Sequence, residues 1–328
     1  MVHRISPGLV YRRAWFTGLL MLLLHAAVTA QDPQFSQFYA APLYLNPAFA
    51  GSTNQARAGI NYRNQWPAID ANFTTMSAYF DYFIEDKRSG VGALLTRDVE
   101  GLAGLQSVSL SLLYSYELEI TKQLGFRPGF GAALYNRSVN FDKLTFGDQF
   151  NQTTGEFIDQ PSAENLRTGM TRTFVDLSAG GLFYTKKAWL GFSAFHLNRP
   201  NQSIAGDGKS LLPIKLSVHG GFKFFLKPGV VGSGVYARNA ERSIAPAIQY
   251  RHQGKFDQMD LGMYFTFEPL VLGTWYRGVP FKNLNGVINN ESVVLMLGFV
   301  KLGAKDAINI GYSYDYTISK LGTGAGGA

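Results

Sequence analysis

Residues 105–119 alternate with a period of two. Val108, Leu110, Leu112, Tyr114, Tyr116 and Leu118 share one face, and Ser107, Ser109, Ser111, Ser115, Glu117 and Glu119 share the other, with Leu113 the single residue out of phase. The same alternation runs through Ile214–Phe224, Met259–Phe267 and Ile308–Tyr316, with Lys215, Lys223, Asp260 and Asp315 on the polar faces. Successive side chains of a strand point to opposite faces, so this period predicts β-strands. It places them near 56–63, 72–83, 89–97, 105–119, 123–136, 172–185, 187–196, 214–225, 243–252, 257–267, 270–277, 291–300 and 305–316. Short turns fall at 84–88, 120–122, 186–187, 268–269 and 301–304, and long loops at 137–171, 197–213 and 278–290. Residues 230–239 read as a long turn and not as a further strand.

Composition decides where the two faces point. Aromatic residues make up 14% of the chain and glycine contributes 36 residues, while charged residues reach only 16%, against about 25% in soluble domains. No segment after residue 30 approaches the roughly 18 consecutive apolar residues of a membrane helix. An aromatic, glycine-rich, charge-poor chain of alternating strands fits an antiparallel transmembrane β-barrel, with apolar side chains toward lipid and polar ones toward the lumen. Short turns then face the periplasm and long loops the exterior. Thirteen strands are visible, whereas single-chain barrels have even numbers, so the fold class is all-β with about fourteen strands: either one strand escapes the period-two test or the sequence stops one strand short.

Residues 1–30 read as a secretory leader: Arg4, Arg12 and Arg13, then the apolar Leu19–Leu24, then Val28-Thr29-Ala30 before a cleavage near Ala30. Its three arginines supply +3 of the formal net charge of +7, leaving +4. The remaining basic residues are scattered through turns, so no nucleic-acid footprint is expected. There is no cysteine, which excludes disulfides and thiolate chemistry. Residues 31–55 form an aromatic segment, 56–316 the barrel and 317–328 a glycine-rich tail. In the segment, Phe35, Phe38, Tyr39, Tyr44 and Phe49 require burial, yet Pro33, Pro42 and Pro47 interrupt any long helix or strand. Together with Asn46 and Pro47 they are the candidate plug or docking residues. A place in the lumen is favoured over the rim, because five aromatics left in water would form a large apolar patch.

Catalytic and metal signals are weak. His196, His219 and His252 lack ligand spacing and read as lumen or interface residues. Gly90-Val-Gly92 and Gly129-Phe-Gly131 miss a dinucleotide fingerprint and read as strand glycines that allow close packing. Asp315 lies on a lumen face, where Arg63 and Arg277 are candidate ion-pair partners. Trp66 and Trp275 read as interface girdle residues. Loop 137–171 carries Phe141, Phe146, Phe150 and Phe157 among acidic residues, which makes them candidate outer contacts.

Several of these residues also resemble a known family. Gln31-Asp-Pro-Gln-Phe-Ser-Gln37, Leu45-Asn-Pro-Ala48, Tyr62-Arg-Asn-Gln-Trp66, His196-Leu-x-x-Pro200, Trp275-Tyr-Arg-Gly278 and Gly311-Tyr-Ser-Tyr-Asp-Tyr-Thr-Ile-Ser319 are similar to PorP/SprF proteins over about residues 31–321. The resemblance implies an outer-membrane barrel of the type IX secretion and gliding machinery, without enzymatic activity or cofactor. Such a protein docks or anchors exported surface proteins beside a periplasmic lipoprotein ring and peptidoglycan-linked partners, in outer-membrane lipid. Relatives continue past Ser319–Gly322 into a closing strand. A passive pore or lipophile channel is the alternative function.

Overall fold

The computed structural model describes residues 32–68, 73–101, 104–139, 145–151, 154–158, 160, 162, 171–204, 208–231, 238–284, 287–302 and 306–319. The leader, Phe141 and the end of the tail lie outside them. Among the described residues seventeen strands form: β1 (Arg57–Gln65), β2 (Phe73–Ile84), β3 (Ser89–Glu100), β4 (Leu105–Tyr116), β5 (Leu118–Glu119), β6 (Gly125–Ser138), β7 (Thr171–Tyr184), β8 (Ala188–Phe195), β9 (Lys215–Phe222), β10 (Phe224–Phe225), β11 (Gly229–Val231), β12 (Arg238–Ala240), β13 (Arg242–Gln253), β14 (Phe256–Phe267), β15 (Leu270–Leu284), β16 (Val287–Leu302) and β17 (Ala307–Thr317). Fifteen belong to one antiparallel sheet whose long strands follow the chain order β1-β2-β3-β4-β6-β7-β8-β9-β13-β14-β15-β16-β17. β5 prolongs β4 and pairs with β6, and β10 prolongs β9 and pairs with β13. The wall is therefore a meander of thirteen strands, matching the period-two segments of the sequence.

Burial is inverted relative to a soluble sheet. Leu110 (51%), Leu112 (64%), Ile308 (54%), Ile310 (69%) and Tyr312 (71%) are exposed, while Ser109, Ser115, Ser217, Asp260 and Asp315 are buried. The sheet has curled so that its polar face looks inward. The first and last strands are brought together inside, where Arg63 of β1 reaches Asp315 of β17 at 3.0 Å. Both run in the same direction, and no backbone pairing joins them among the described residues. A strand running the opposite way would pair antiparallel with each.

Two expectations are corrected. Residues 278–290 are no long loop: β15 and β16 continue as a hairpin, with Leu284 opposite Val287 and register shifts at Arg277/Gly278 and Val279/Asn283. Pro280 falls in the stretch of β15 that has no pairing partner, which is where a missing N–H donor does least harm. Residues 230–239 are not a plain turn either. β11 and β12 pair into a separate two-stranded ribbon, Gly229 opposite Ala240, which stays outside the wall.

The connections define two ends. Glu85–Lys87 and the turns 185–187 and 268–269 lie at a short-turn end. The long connections 139–170 and 196–214 lie at the other, the loop end, with the tight β13–β14 turn. The ribbon-bearing 226–241 also lies at the short-turn end and is longer than those turns. Leu110 sits midway along β4 with its side chain outward. Leu110→Arg is expected to lower unfolding stability in lipid vesicles by about 2–4 kcal/mol, the cost of a cation near the bilayer midplane; urea titration followed by heat-modifiable gel mobility measures it.

Candidate functional site

The proline-broken start of the chain fills the space inside the sheet. Proline at N1 starts each of two short turns, helix α1 (Pro42–Leu45) and the 3-10 turn Pro47–Phe49, where a missing N–H costs nothing. Asn46 lies between them, and its Oδ1 caps the second turn by accepting from the Ala48 N–H at 2.9 Å. Its Nδ2 donates to the carbonyls of Gly181 on β7, at 3.1 Å, and Phe192 on β8, at 3.0 Å. One fully buried side chain thus holds the segment's fold and fastens it to two strands.

The wall is cut to receive this backbone. A Cβ at Gly90 of β3 would overlap the Ala50 carbonyl, one at Gly129 of β6 the Ala48 backbone, and one at Gly180 of β7 the Asn46 side chain. Polar side chains beside these slots satisfy the segment's carbonyls. Ser115 Oγ donates to Ala50 O at 2.7 Å, Arg127 Nη1 to the same oxygen at 3.2 Å, and Ser193 Oγ to Leu45 O at 2.9 Å. Gly51 N–H donates to Asp81 Oδ2 at 2.8 Å, and Asp81 also pairs with Arg57 at 2.9 Å.

Apolar contacts fall into two clusters. Leu43 and Ala50 pack with Leu94 and Leu113, and Phe38 and Leu45 with Ala247, Trp275 and Val294. Leu113, the residue out of phase in its strand, faces inward because Leu43 is there. Trp275, expected in an interface girdle, is instead buried edge-on to Phe38 at 4.9 Å; the ring occupies space that a side chain at Gly262 would take. Tyr39 accepts a 2.8 Å hydrogen bond from Trp189 Nε1. Phe49 stacks on His219 at 5.6 Å, and Phe35 lies edge-on to Tyr44, whose hydroxyl donates to Pro33 O at 2.6 Å. The cavity bordered by Phe35, Tyr44, Lys215, Gln249 and Arg251 measures about 20 Å³, room for about one water and no more.

Near the loop end lies a buried charge network. Asp315 accepts from Arg63 at 3.0 Å and Arg277 at 2.8 Å, and Arg277 also reaches Asp260 at 2.6 Å. Arg63 further donates to Gln34 O at 2.7 Å, and Gln34 Oε1 accepts from Arg251. The structure thus joins Asp315 to both arginines at once, and Asp260, which the alternation puts on a polar strand face, adds a pairing with Arg277 that the sequence does not reveal.

The loop aromatics are less gathered. Phe150 and Phe157 pair across an isolated bridge with rings 5.7 Å apart and are 38% and 53% exposed. Phe146 is half-buried beside them in sequence. His196 leaves its strand at positive φ and pairs with Asp176 at 3.1 Å. Among the described residues, no group of His, Asp and Glu is placed to hold a metal ion.

Asp315→Asn leaves two buried guanidinium groups short of their shared counter-charge and is expected to cost about 3–5 kcal/mol. Asn46→Ala strands two buried carbonyls and uncaps a turn, at about 1–3 kcal/mol. Equilibrium unfolding of the reconstituted protein reads both, and losses within error of zero would contradict these assignments.

A search of curated proteins returns no match. A scan against protein families matches residues 27–328 to the type IX secretion system membrane protein PorP/SprF. With nearly the whole chain covered, and an inverted antiparallel sheet enclosing its own amino-terminal segment, the protein belongs to the PorP/SprF family of type IX secretion system membrane proteins.

Proposed function

We propose that the protein is a non-enzymatic outer-membrane barrel that docks or anchors exported surface proteins, its lumen closed by its own residues 33–51. The observation that carries this reading is the seat of Asn46–Gly51. Three strand glycines make room for that backbone, and serine and arginine side chains hydrogen-bond its carbonyls. A plug meant to leave would expose those buried donors each time it moved, at about 1–3 kcal/mol per unsatisfied group. The segment is thus a permanent part of the wall, and a conduit for folded cargo or free solute is disfavoured.

The long connections 139–170 and 196–214 leave the barrel together. In outer-membrane barrels long loops face the exterior and short turns the periplasm, so the loop end is assigned to the cell surface. Export then proceeds by a leader removed near Ala30. The loop-end residues Phe150, Phe157 and Ile158 are exposed and apolar. They supply the anchors expected of a contact with an exported protein. The short-turn end faces the lipoprotein ring and peptidoglycan-linked components.

Planar-bilayer recordings test closure. The mature protein is expected to show no large steady conductance, and deletion of residues 32–48 to produce one. A large conductance in the intact protein would favour a passive pore. Co-purification from native membranes tests docking: Phe150→Ser with Phe157→Ser is expected to deplete exported surface proteins from the complex while membrane insertion is unchanged.

A further inference from the structure

The segment inside the barrel has a direction. Its carboxy-terminal end lies at the short-turn end: Arg57, the first residue of β1, donates to Phe49 O at 3.0 Å, and its register partner Asp81 accepts from the Gly51 N–H. Its amino-terminal end lies six residues further along the same strand, where Arg63 donates to Gln34 O at 2.7 Å. Six residues of tilted strand rise about 20 Å along the chain and about 15 Å along the barrel axis. Two other strands agree. Gln34 also meets Arg251, two residues before the end of β13 at its loop-end turn. It meets Glu291 of β16 as well, at 3.4 Å, and the Glu291 carbonyl accepts from Ile318 N–H just beyond the loop-end terminus of β17. Tyr39 already reaches down to Trp189, the second residue of β8 after its short turn. The segment therefore has Gln34 at the loop end and Gly51 at the short-turn end, with Tyr44 returning beside Pro33 in between, and only after Gly51 does the chain turn up into β1.

From this path we propose that the segment's Pro33–Gln34 end opens at the outer mouth of the barrel, where it is reached from the cell exterior. The proposal rests on the orientation assigned above, with the loop end outside. A segment entering from the periplasm and stopping there would place its free end beside Gly51; the contacts of Gln34 place it at the opposite end. Withdrawal of the seated segment would pull its free end back through the lumen past Leu94, Leu113, Trp275 and Val294, the inward side chains that pack on it.

The chain contains no cysteine, which permits a direct test in cells carrying the full-length protein. Single variants Pro33→Cys, Asp86→Cys and Lys209→Cys are labelled with a membrane-impermeant maleimide before and after outer-membrane permeabilisation. Asp86 is exposed in the turn between β2 and β3, and Lys209 is exposed in the connection between β8 and β9. Pro33→Cys is expected to follow Lys209→Cys, with an intact-to-permeabilised labelling ratio near unity. A Pro33→Cys that follows Asp86→Cys, reacting only after permeabilisation, overturns the proposal. An epitope inserted between Asp32 and Pro33 provides the second readout, for a thiol too enclosed to react in either state. Antibody binding to intact cells supports the outer exit, and binding only after permeabilisation overturns it. If Asp86→Cys reacts in intact cells and Lys209→Cys does not, the orientation fails, and Pro33→Cys still reports which end it shares.

Discussion

The short-turn half of the barrel depends on how one carbonyl oxygen, that of Ala50, is satisfied. It is buried between β3, β4 and β6, where Gly90 leaves it space and Ser115 and Arg127 donate to it. Arg127 could not remain there alone. Glu117 pairs with it at 3.2 Å, and the Tyr184 hydroxyl donates to the same carboxylate. A buried charge demands a partner and a buried acceptor demands a donor, so this one backbone group organises side chains from β4, β6 and β7 and from the β4–β5 junction. The amino-terminal segment therefore acts as structure: it provides the apolar interior that a barrel with a polar inward face otherwise lacks.

At the loop end a different constraint takes over. β1 and β17 run the same way and share no backbone ladder among the described residues, so side chains hold the two edges together. Arg277 spans from β15 to Asp315 on β17, and Arg63 reaches the same carboxylate from β1. Because Arg63 also donates to Gln34, the charge network that draws the edges together fixes the Gln34 end of the segment as well. Sheet curvature and segment placement are set by the same few groups.

The wall was legible in the sequence because its cause is local: a strand with one face in lipid and one in a polar interior must alternate. The segment's need for burial was legible too, from five aromatics among three prolines. Its seat was written in the exceptions, since Leu94, Leu113, Trp275 and Val294 are apolar residues that face inward and pack on the segment. The slots at Gly90, Gly129 and Gly180 could not be told from other strand glycines, because their role depends on which backbone lies opposite, a long-range fact. Loop 278–290 was misread for a local reason, since Pro280 looks like a strand end when it sits in an unpaired stretch of a continuing strand. The direction of the segment was not legible at all, for it depends on contacts between Gln34 and three strands distant in sequence.

The central claim is that residues 43–51 are built into the wall and do not rest loosely in the lumen. Hydrogen exchange of the protein in lipid nanodiscs measures this directly. Peptides covering 43–51, whose amides are bonded within two short turns and to Asp81, are predicted to be protected to the same degree as peptides of β3 and β6. Exchange as fast as that of an unstructured peptide, with the strands still protected, would contradict the account.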